Sequence, residues 1–524
     1  MKKILSSFFK DTRLAIALCI SAFILIASTV VRLFHLTILP VFADEAIYVR
    51  WAQVMKAEPT LRYLPLSDGK EPLYMWILMP VFKIFSNPLF AGRFVSVAAG
   101  MGTSLGVMAL AYVLFRSKKV AVLSLFLYLV SPFTFFFHRM ALVDSLLSFF
   151  GVWVAVFSVL TVKNIQRGGR SLDFPLATGF SLGFAWLTKS PALFFALLSS
   201  GSVIFIRKPS IKVIVLSLFA ILFSIVIGYG MYNTLRLGPN FQMIASRNLD
   251  YVFPVSHIIE NPRDPFIFHV DRALEWFFIL GPFTILILAA LSSIDLVKKY
   301  SREVLFLLAW FAIPLLVEAE FAKVFTARYV FFTIPPLAVL AGAIALSQST
   351  LIRRVSGVII FAGVVLSVQN IFLLITNPAR AYLPNGERSG YLVEWTAGTG
   401  IYESSLFVRQ ELKAHPDQQI VIATEGYFGT LPDGLQIYLE KVPNVTIFGT
   451  GLNFSDVPQS LKDAKKEGKR VFFAVNASRL NLKKSPEEYG LKTVLSFPKE
   501  LRDRDTREYV QLGDRDTYYF FELQ

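Results

Sequence analysis

The chain has 524 residues, 54% of them hydrophobic and 50 of them Phe, with a mean hydropathy of +0.55. That composition excludes an ordinary soluble enzyme and fits a polytopic membrane protein. The formal charge is +15, yet from Thr376 onward 19 Lys and Arg face 20 Asp and Glu, so the excess (33 against 17) lies in the earlier, apolar part. There it is a topology signal rather than a nucleic-acid face.

The segment MKKILSSFFKDTR precedes a run over 14–34 that is too long for a signal sequence and has no small-residue cleavage site after it. It reads as a retained anchor. The only cysteine, Cys19, lies in this run, which excludes an intrachain disulfide. Further apolar runs follow near 88–115, 119–137, 143–162, 174–188, 190–206, 211–235, 273–294, 304–320, 329–348 and 355–375. The expectation is about eleven transmembrane helices. Every second connection is short and basic: Lys2, Lys3, Lys10 and Arg13; Arg116, Lys118 and Lys119; Lys163, Arg167 and Arg170; Arg207, Lys208 and Lys212; Lys298, Lys299 and Arg302; Arg353 and Arg354. Those connections belong on the cytoplasmic side. The first loop (35–87), the Arg139 turn, the 236–272 loop, the Glu318–Arg328 turn and everything after Thr376 then share the outer side. Within the first loop, 73–85 is apolar but short and contains Pro80, which suits a helix lying on the membrane surface.

After about 376 the composition becomes that of a soluble domain. Strands are expected near 419–424, 444–448, 470–475, 491–497 and 517–523, with helices near 403–414, 431–441 and 457–468. The chain therefore divides into a transmembrane domain (1–375), with a structured first outer loop, and an extracytoplasmic α/β domain (376–524). No G-x-G-x-x-G or P-loop occurs in the latter, so no nucleotide chemistry is assigned to it.

The outer ends gather ionisable residues from distant turns. Asp44, Glu45, Lys70 and Glu71 come from the first loop, Arg139 and Asp144 from HRMALVDS, and Lys189 from LTKSP. Glu318, Glu320 and Arg328 come from VEAEFAKVFTARYVFF. Cations at headgroup depth suit a phosphate, and a carboxylate beside them suits a general base acting on a hydroxyl. Sugar transfer from a lipid phosphate needs both. The bland readings stay open: Asp44 and Asp144 as helix N-caps, Lys70 and Arg328 as snorkelling anchors, and Tyr329 as part of an aromatic belt.

The D-E pair, the K-E-P-L-Y-x-W segment, H-R-M-A-L-V-D-S-L-L-S-F-F and A-R-Y-V-F-F-T-I-P-P-L occur in an order that resembles a known family. It is the protein mannosyltransferase / aminoarabinose transferase group of GT-C glycosyltransferases, over roughly 14–348. The resemblance implies a polytopic GT-C fold and an inverting enzyme. Its donor would be a polyprenyl-phosphate sugar and its acceptor a protein, lipid or glycan hydroxyl. The lack of a recognisable retention signal places the expectation at the plasma membrane, among membrane lipids. The resemblance implies Asp44 as general base, Asp144 and Glu45 as further acidic site residues, and Lys70, Arg328, Tyr329, Arg139 and Lys189 around the donor phosphate. No cofactor is implied firmly. A divalent ion near Glu71 and His257 or His269 is a weaker suggestion that spacing does not establish. In the aminoarabinose branch the loop motif runs glutamate-lysine-proline, whereas here Lys70 precedes Glu71, which leaves the phosphate contact unassigned. The alternative function is a transporter or flippase for a lipid-linked glycan; the absence of mid-span charges and of a repeated half speaks against it.

Overall fold

The computed structural model describes residues 12–207, 209–281 and 283–524. Of the basic residues assigned to the inner side, Lys2, Lys3, Lys10 and Lys208 lie outside them. The chain forms two compact units. One gathers Met1–Phe34, Leu61–Trp76 and Arg93–Ile375; the other gathers His35–Thr60, Ile77–Gly92 and Thr376–Gln524.

In the first unit each of the eleven apolar runs is largely helical, but among the described residues only six helices are long and apolar enough to cross a membrane. They are Ala15–Leu33, Pro88–Phe115, Asp144–Gln166, Ile211–Leu237, Ser301–Phe321 and Thr350–Thr376. A seventh is counted if Phe266–Ile279 and Phe283–Leu296, bent by 105° at their junction, make one span. The others fall short for local reasons. Ser131-Pro132 ends the Lys118–Val130 helix, because the residue before a proline avoids helical geometry. Pro191 opens a 3-10 turn after Lys189, so the run to Phe205 arrives as three short pieces. Every residue of the Pro-Pro helix Ile334–Gly342 is buried, so its neighbours are protein rather than lipid. Ser117 and Ser210 cap the helices they precede through their hydroxyls.

Aromatic packing holds the turn around Arg139 in place. Phe133, Phe137 and Phe331 meet at 5.4–5.9 Å. His138 is buried against Phe331, with Tyr128 Oη 2.9 Å from its Nε2 and Ser145 Oγ 3.0 Å from its Nδ1. It is a satisfied core histidine. Gly100 is required beside it, since a Cβ there would lie 2.5 Å from the ring.

The second unit is built on a five-stranded sheet of order β2-β1-β3-β5-β4. Its strands are β1 (Ile420–Glu425), β2 (Val445–Gly451), β3 (Arg470–Asn476), β4 (Leu491–Leu501) and β5 (Arg515–Leu523). The first three pair in parallel, while β5 runs antiparallel to both β3 and β4. Parallel strands covered on both faces should be apolar throughout, and β1 is buried at every position. One face packs Phe454, Leu461 and Phe473 with the Gln459–Lys466 helix. On the other, Phe407 of the Ile401–Ala414 helix meets Phe472 and Phe520. The Ala43–Ala57 helix belongs to this unit. Ala43 N–H donates to Thr396 O at 3.1 Å, Gly398 N–H to Val41 O at 2.8 Å, and Gln53 Nε2 to Ile437 O at 2.9 Å.

Candidate active site

In the first unit a polar cluster forms where the segment after Asp68 meets the Leu187–Ser190 turn. Leu73 N–H donates to Leu187 O at 3.0 Å, which fixes the register of the two segments. Glu71 is buried there, and Ser190 Oγ donates to its Oε1 at 2.8 Å. Burial pushes the Glu71 carboxyl up to about 7, against the opposing pull of the Ser190 hydroxyl and the Lys189 and Lys70 charges.

Lys189 is the centre of the cluster. Its Nζ lies 2.7 Å from Asp144 Oδ1 and 4.1 Å from the centroid of the Tyr329 ring. Asp144 is 2% exposed, and its Oδ2 has no hydrogen-bond partner among the described residues. Glu318 feels both Lys189 and Asp144 electrostatically, and its Oε2 is likewise buried and without a hydrogen bond. An ammonium has three donors, so the Lys189 amine can serve Asp144 and still donate to an incoming oxyanion. The Arg328 guanidinium lies 5.5 Å from the Tyr329 ring centroid.

Lys70 lies at the edge of the same segment, with Nζ 3.4 Å from Asp68 Oδ2. Arg247 binds the other Asp68 oxygen at 3.1 Å. The turn between them needs Gly69: its φ is +67°, and a Cβ would lie 2.7 Å from Met243 O. Ser190, Asp68 and Arg247 are not among the residues singled out from the sequence. Ser190 adjoins Lys189 and could have been found there; the Asp68–Arg247 pair joins loops far apart in the chain and carries no local signal.

Arg139 has a different set of partners. It donates to the carbonyls of Arg32 at 2.9 Å and Phe34 at 2.8 Å, at the end of the Thr12–Leu33 helix, where carbonyls lack helical partners.

The suggested metal ligands do not come together. Glu71 accepts from Ser190. His257 Nδ1 lies 4.0 Å from Glu320 Oε1, and His269 donates through Nδ1 to Ala319 O at 2.9 Å while stacking on Phe325. Among the described residues no group of three or more His, Cys, Asp or Glu side chains could hold a metal ion. Spacing did not establish a ligand set, and in the fold Glu71 and His269 are each engaged by a different group while His257 stacks on Phe253.

Asp44 and Glu45 lie in the second unit, in the first turn of the Ala43–Ala57 helix. Phe42 is the N-cap residue, so Asp44 is one turn position inside the helix and not the cap; Val143 likewise precedes Asp144. Glu45 is fully buried, and its Oε2 accepts from Phe42 N–H at 3.0 Å, which makes it the acidic half of a capping box. Asp44, half-buried, is the member of the pair held at the surface of the helix start.

Residues 69–229 match the family of dolichyl-phosphate-mannose-protein mannosyltransferases. A curated relative, undecaprenyl phosphate-alpha-4-amino-4-deoxy-L-arabinose arabinosyl transferase 2 of Proteus mirabilis, is 26% identical over 332 residues, 59% of this chain. The aligned part is 56% of that protein, so the chain spans little more than half the length of the relative it matches. In fold the chain is similar to ArnT from Cupriavidus metallidurans in the apo state, with a TM-score of 0.56 at 15% identity over 95% of this chain and 97% of that one. The same enzyme bound to undecaprenyl phosphate gives 0.54 at 15% identity over the same shares. From the pattern over 69–229 and the fold along nearly the whole length, the chain resembles the GT-C group of protein mannosyltransferases and aminoarabinose transferases.

Proposed function

We propose that this multi-pass membrane protein is a glycosyltransferase that moves a sugar from a polyprenyl-phosphate donor to an acceptor hydroxyl on the outer side of the membrane. The observation that carries the reading is the Lys189 amine between Asp144 and Tyr329, beside the buried Glu71. It is a cation fixed in direction, with donors left over for a phosphate. The relatives named above support the donor class, one by its name and one by its bound undecaprenyl phosphate.

In the proposed reaction the acceptor oxygen attacks the anomeric carbon from the face opposite the phosphate. The new C–O bond forms as the bond to the phosphate oxygen breaks, with inversion. Asp44 takes the hydroxyl proton. Lys189, with Lys70 and Arg328, balances the charge that accumulates on the leaving polyprenyl phosphate. A phosphate leaves without protonation, so one carboxylate base suffices, unlike the pair a glycoside hydrolase needs. Asp144 holds the Lys189 amine in place. On this reading the second unit lies on the outer side with Asp44, and no step requires a metal.

The test is transfer of labelled sugar from polyprenyl-phosphate hexoses and pentoses by the purified protein, with membrane extract as acceptor. Wild type should transfer. Asp44→Asn should lose at least a hundredfold in rate, the scale of general-base catalysis, while still binding undecaprenyl phosphate. An Asp44→Asn protein that transfers at the wild-type rate would refute the assignment.

A further inference from the structure

The second unit contains a cavity of about 380 Å³, within the size range of small-molecule sites. Its lining includes the buried apolar side chains of Leu39 and Val41 of the first loop with Leu89 and Leu392. Its walls carry Tyr402, Glu403, Tyr438, Glu500, Asn87 and Asn377. The lining residues flank the ends of apolar helices. Thr37 comes four residues after Leu33, Asn87 directly precedes Pro88, and Asn377 directly follows Thr376. At no more than about 3.5 Å of chain per residue, the cavity opens close to headgroup depth.

Its chemistry selects a class of ligand. Tyr402 is 44% exposed and is steadied by Tyr438, the ring centroids 5.1 Å apart and the planes at 62°. A ring held this way offers an apolar surface with a hydroxyl at its rim. Glu403 forms no ion pair among the described residues, and Glu500 pairs with Arg388 at 4.0 Å. Lys499 also lines the cavity, but its side chain is fully buried and its amine is turned away. It donates to Glu394 O at 2.9 Å and lies 4.0 Å from Asp516. The walls therefore present the Glu403 carboxylate without an ion pair, the Glu500 carboxylate loosely paired with Arg388, and amides, next to an aromatic ring. Hydroxyl groups on a ring with apolar C–H faces satisfy all three. An anionic group would meet the uncompensated Glu403 carboxylate.

We propose that this cavity binds a sugar headgroup carrying no negative charge, and that it is the acceptor's headgroup, a step that rests on the glycosyltransferase reading. The headgroup can belong to a membrane glycolipid or to a free saccharide. The test uses the full chain in phosphatidylcholine nanodiscs. Native mass spectrometry measures retention of glucosyl, galactosyl and glucosaminyl diacylglycerol against phosphatidylglycerol, and methyl glycosides of the same sugars serve as competitors. At least one glycosyl lipid should be retained about tenfold over phosphatidylglycerol. Tyr402→Ala and Glu403→Gln should each reduce that retention by about fivefold, the worth of roughly one hydrogen bond or apolar contact. Tyr402→Phe should keep most of it, and undecaprenyl phosphate binding should be unchanged in all three. Competition by a methyl glycoside identifies a free saccharide as sufficient; retention without competition identifies the lipid, and both uphold the site. Retention of phosphatidylglycerol as strong as of any glycosyl lipid, or variants that retain glycolipid like wild type, would overturn it. A chain that retains the headgroup but transfers no sugar removes the proposed enzyme and leaves the site standing. A chain that transfers sugar with no headgroup preference removes the site alone.

Discussion

Replacing Glu71 with Gln should make the protein more stable at alkaline pH while changing it little in acid. The carboxyl ionises near 4.5 when the chain is unfolded and near 7 when buried in the fold. Below 4.5 it is neutral in both states and pH has no effect through this group. As pH rises from 4.5 towards 7 the unfolded chain loses the proton first, so the folded state is penalised progressively, and above 7 the penalty is complete. Moving a titration from 4.5 to about 7 corresponds to about 3 kcal/mol. The Gln side chain avoids the penalty and can still accept from the Ser190 hydroxyl through its carbonyl oxygen, as Glu71 does at 2.8 Å. Thermal denaturation in detergent should therefore give nearly equal midpoints for the two proteins at pH 4.5. At pH 8.5 the variant should lie about 3–6 °C higher, taking roughly one to two degrees per kcal/mol for a chain of this length. A variant that melts below wild type at pH 8.5, or one with the same pH dependence as wild type, would refute the account of Glu71 as a carboxyl held in a desolvated site.

Three further outcomes follow from named contacts. Lys189→Met leaves Asp144 buried without its cation and should cost about 3–5 kcal/mol; adding Asp144→Asn should restore most of the stability but not undecaprenyl phosphate binding, which a denaturation series paired with a binding assay would show. Gly100→Ala forces a methyl against the His138 ring and should destabilise by about 1–3 kcal/mol, read as a lower melting midpoint at unchanged expression. Arg502 grips Glu394 with two bonds of 2.7 and 3.0 Å, and Arg502→Lys loses the fork, about 1–2 kcal/mol. Limited proteolysis of the full chain should then cut the 390–400 segment faster than in wild type.

The strands and covering helices of 376–524 were legible in the sequence, whereas the first-loop segments His35–Thr60 and Ile77–Gly92 that join them in the same unit were not. Runs such as IVIATE and RVFFAVN are apolar because both faces of the strands are covered, and the amphipathic pattern of 403–414 marks a helix covered on one side only. What could not be read was strand order, since the antiparallel insertion of β5 between β3 and β4 depends on pairing partners far apart in the chain. In the apolar unit, composition located the helices but not their lengths. Prolines at 132, 191 and 335 cut runs whose hydropathy is continuous. At the candidate site the residue types pointed to the outer ends, and Lys189 with Asp144 was within reach of that argument. The carbonyl partners of Arg139 at the end of the first helix exist only in the fold. The acidic pair at 44–45 looked symmetrical in sequence, and the helix separates the two, one to its own N-terminus and one to the surface.

The second unit is assembled from segments made at opposite ends of synthesis. Gln53 and its partner Ile437 are 384 residues apart, and at 5–20 residues per second the ribosome needs roughly 20–80 s to travel between them. Throughout that interval the helix bearing Asp44 has been translated, yet the strands and turns that brace it do not exist. A chain terminated before residue 376 would insert its helices and still lack the scaffold for its proposed base. Synthesis itself would then act as a checkpoint, withholding a braced base until the last residue of the sheet has been made.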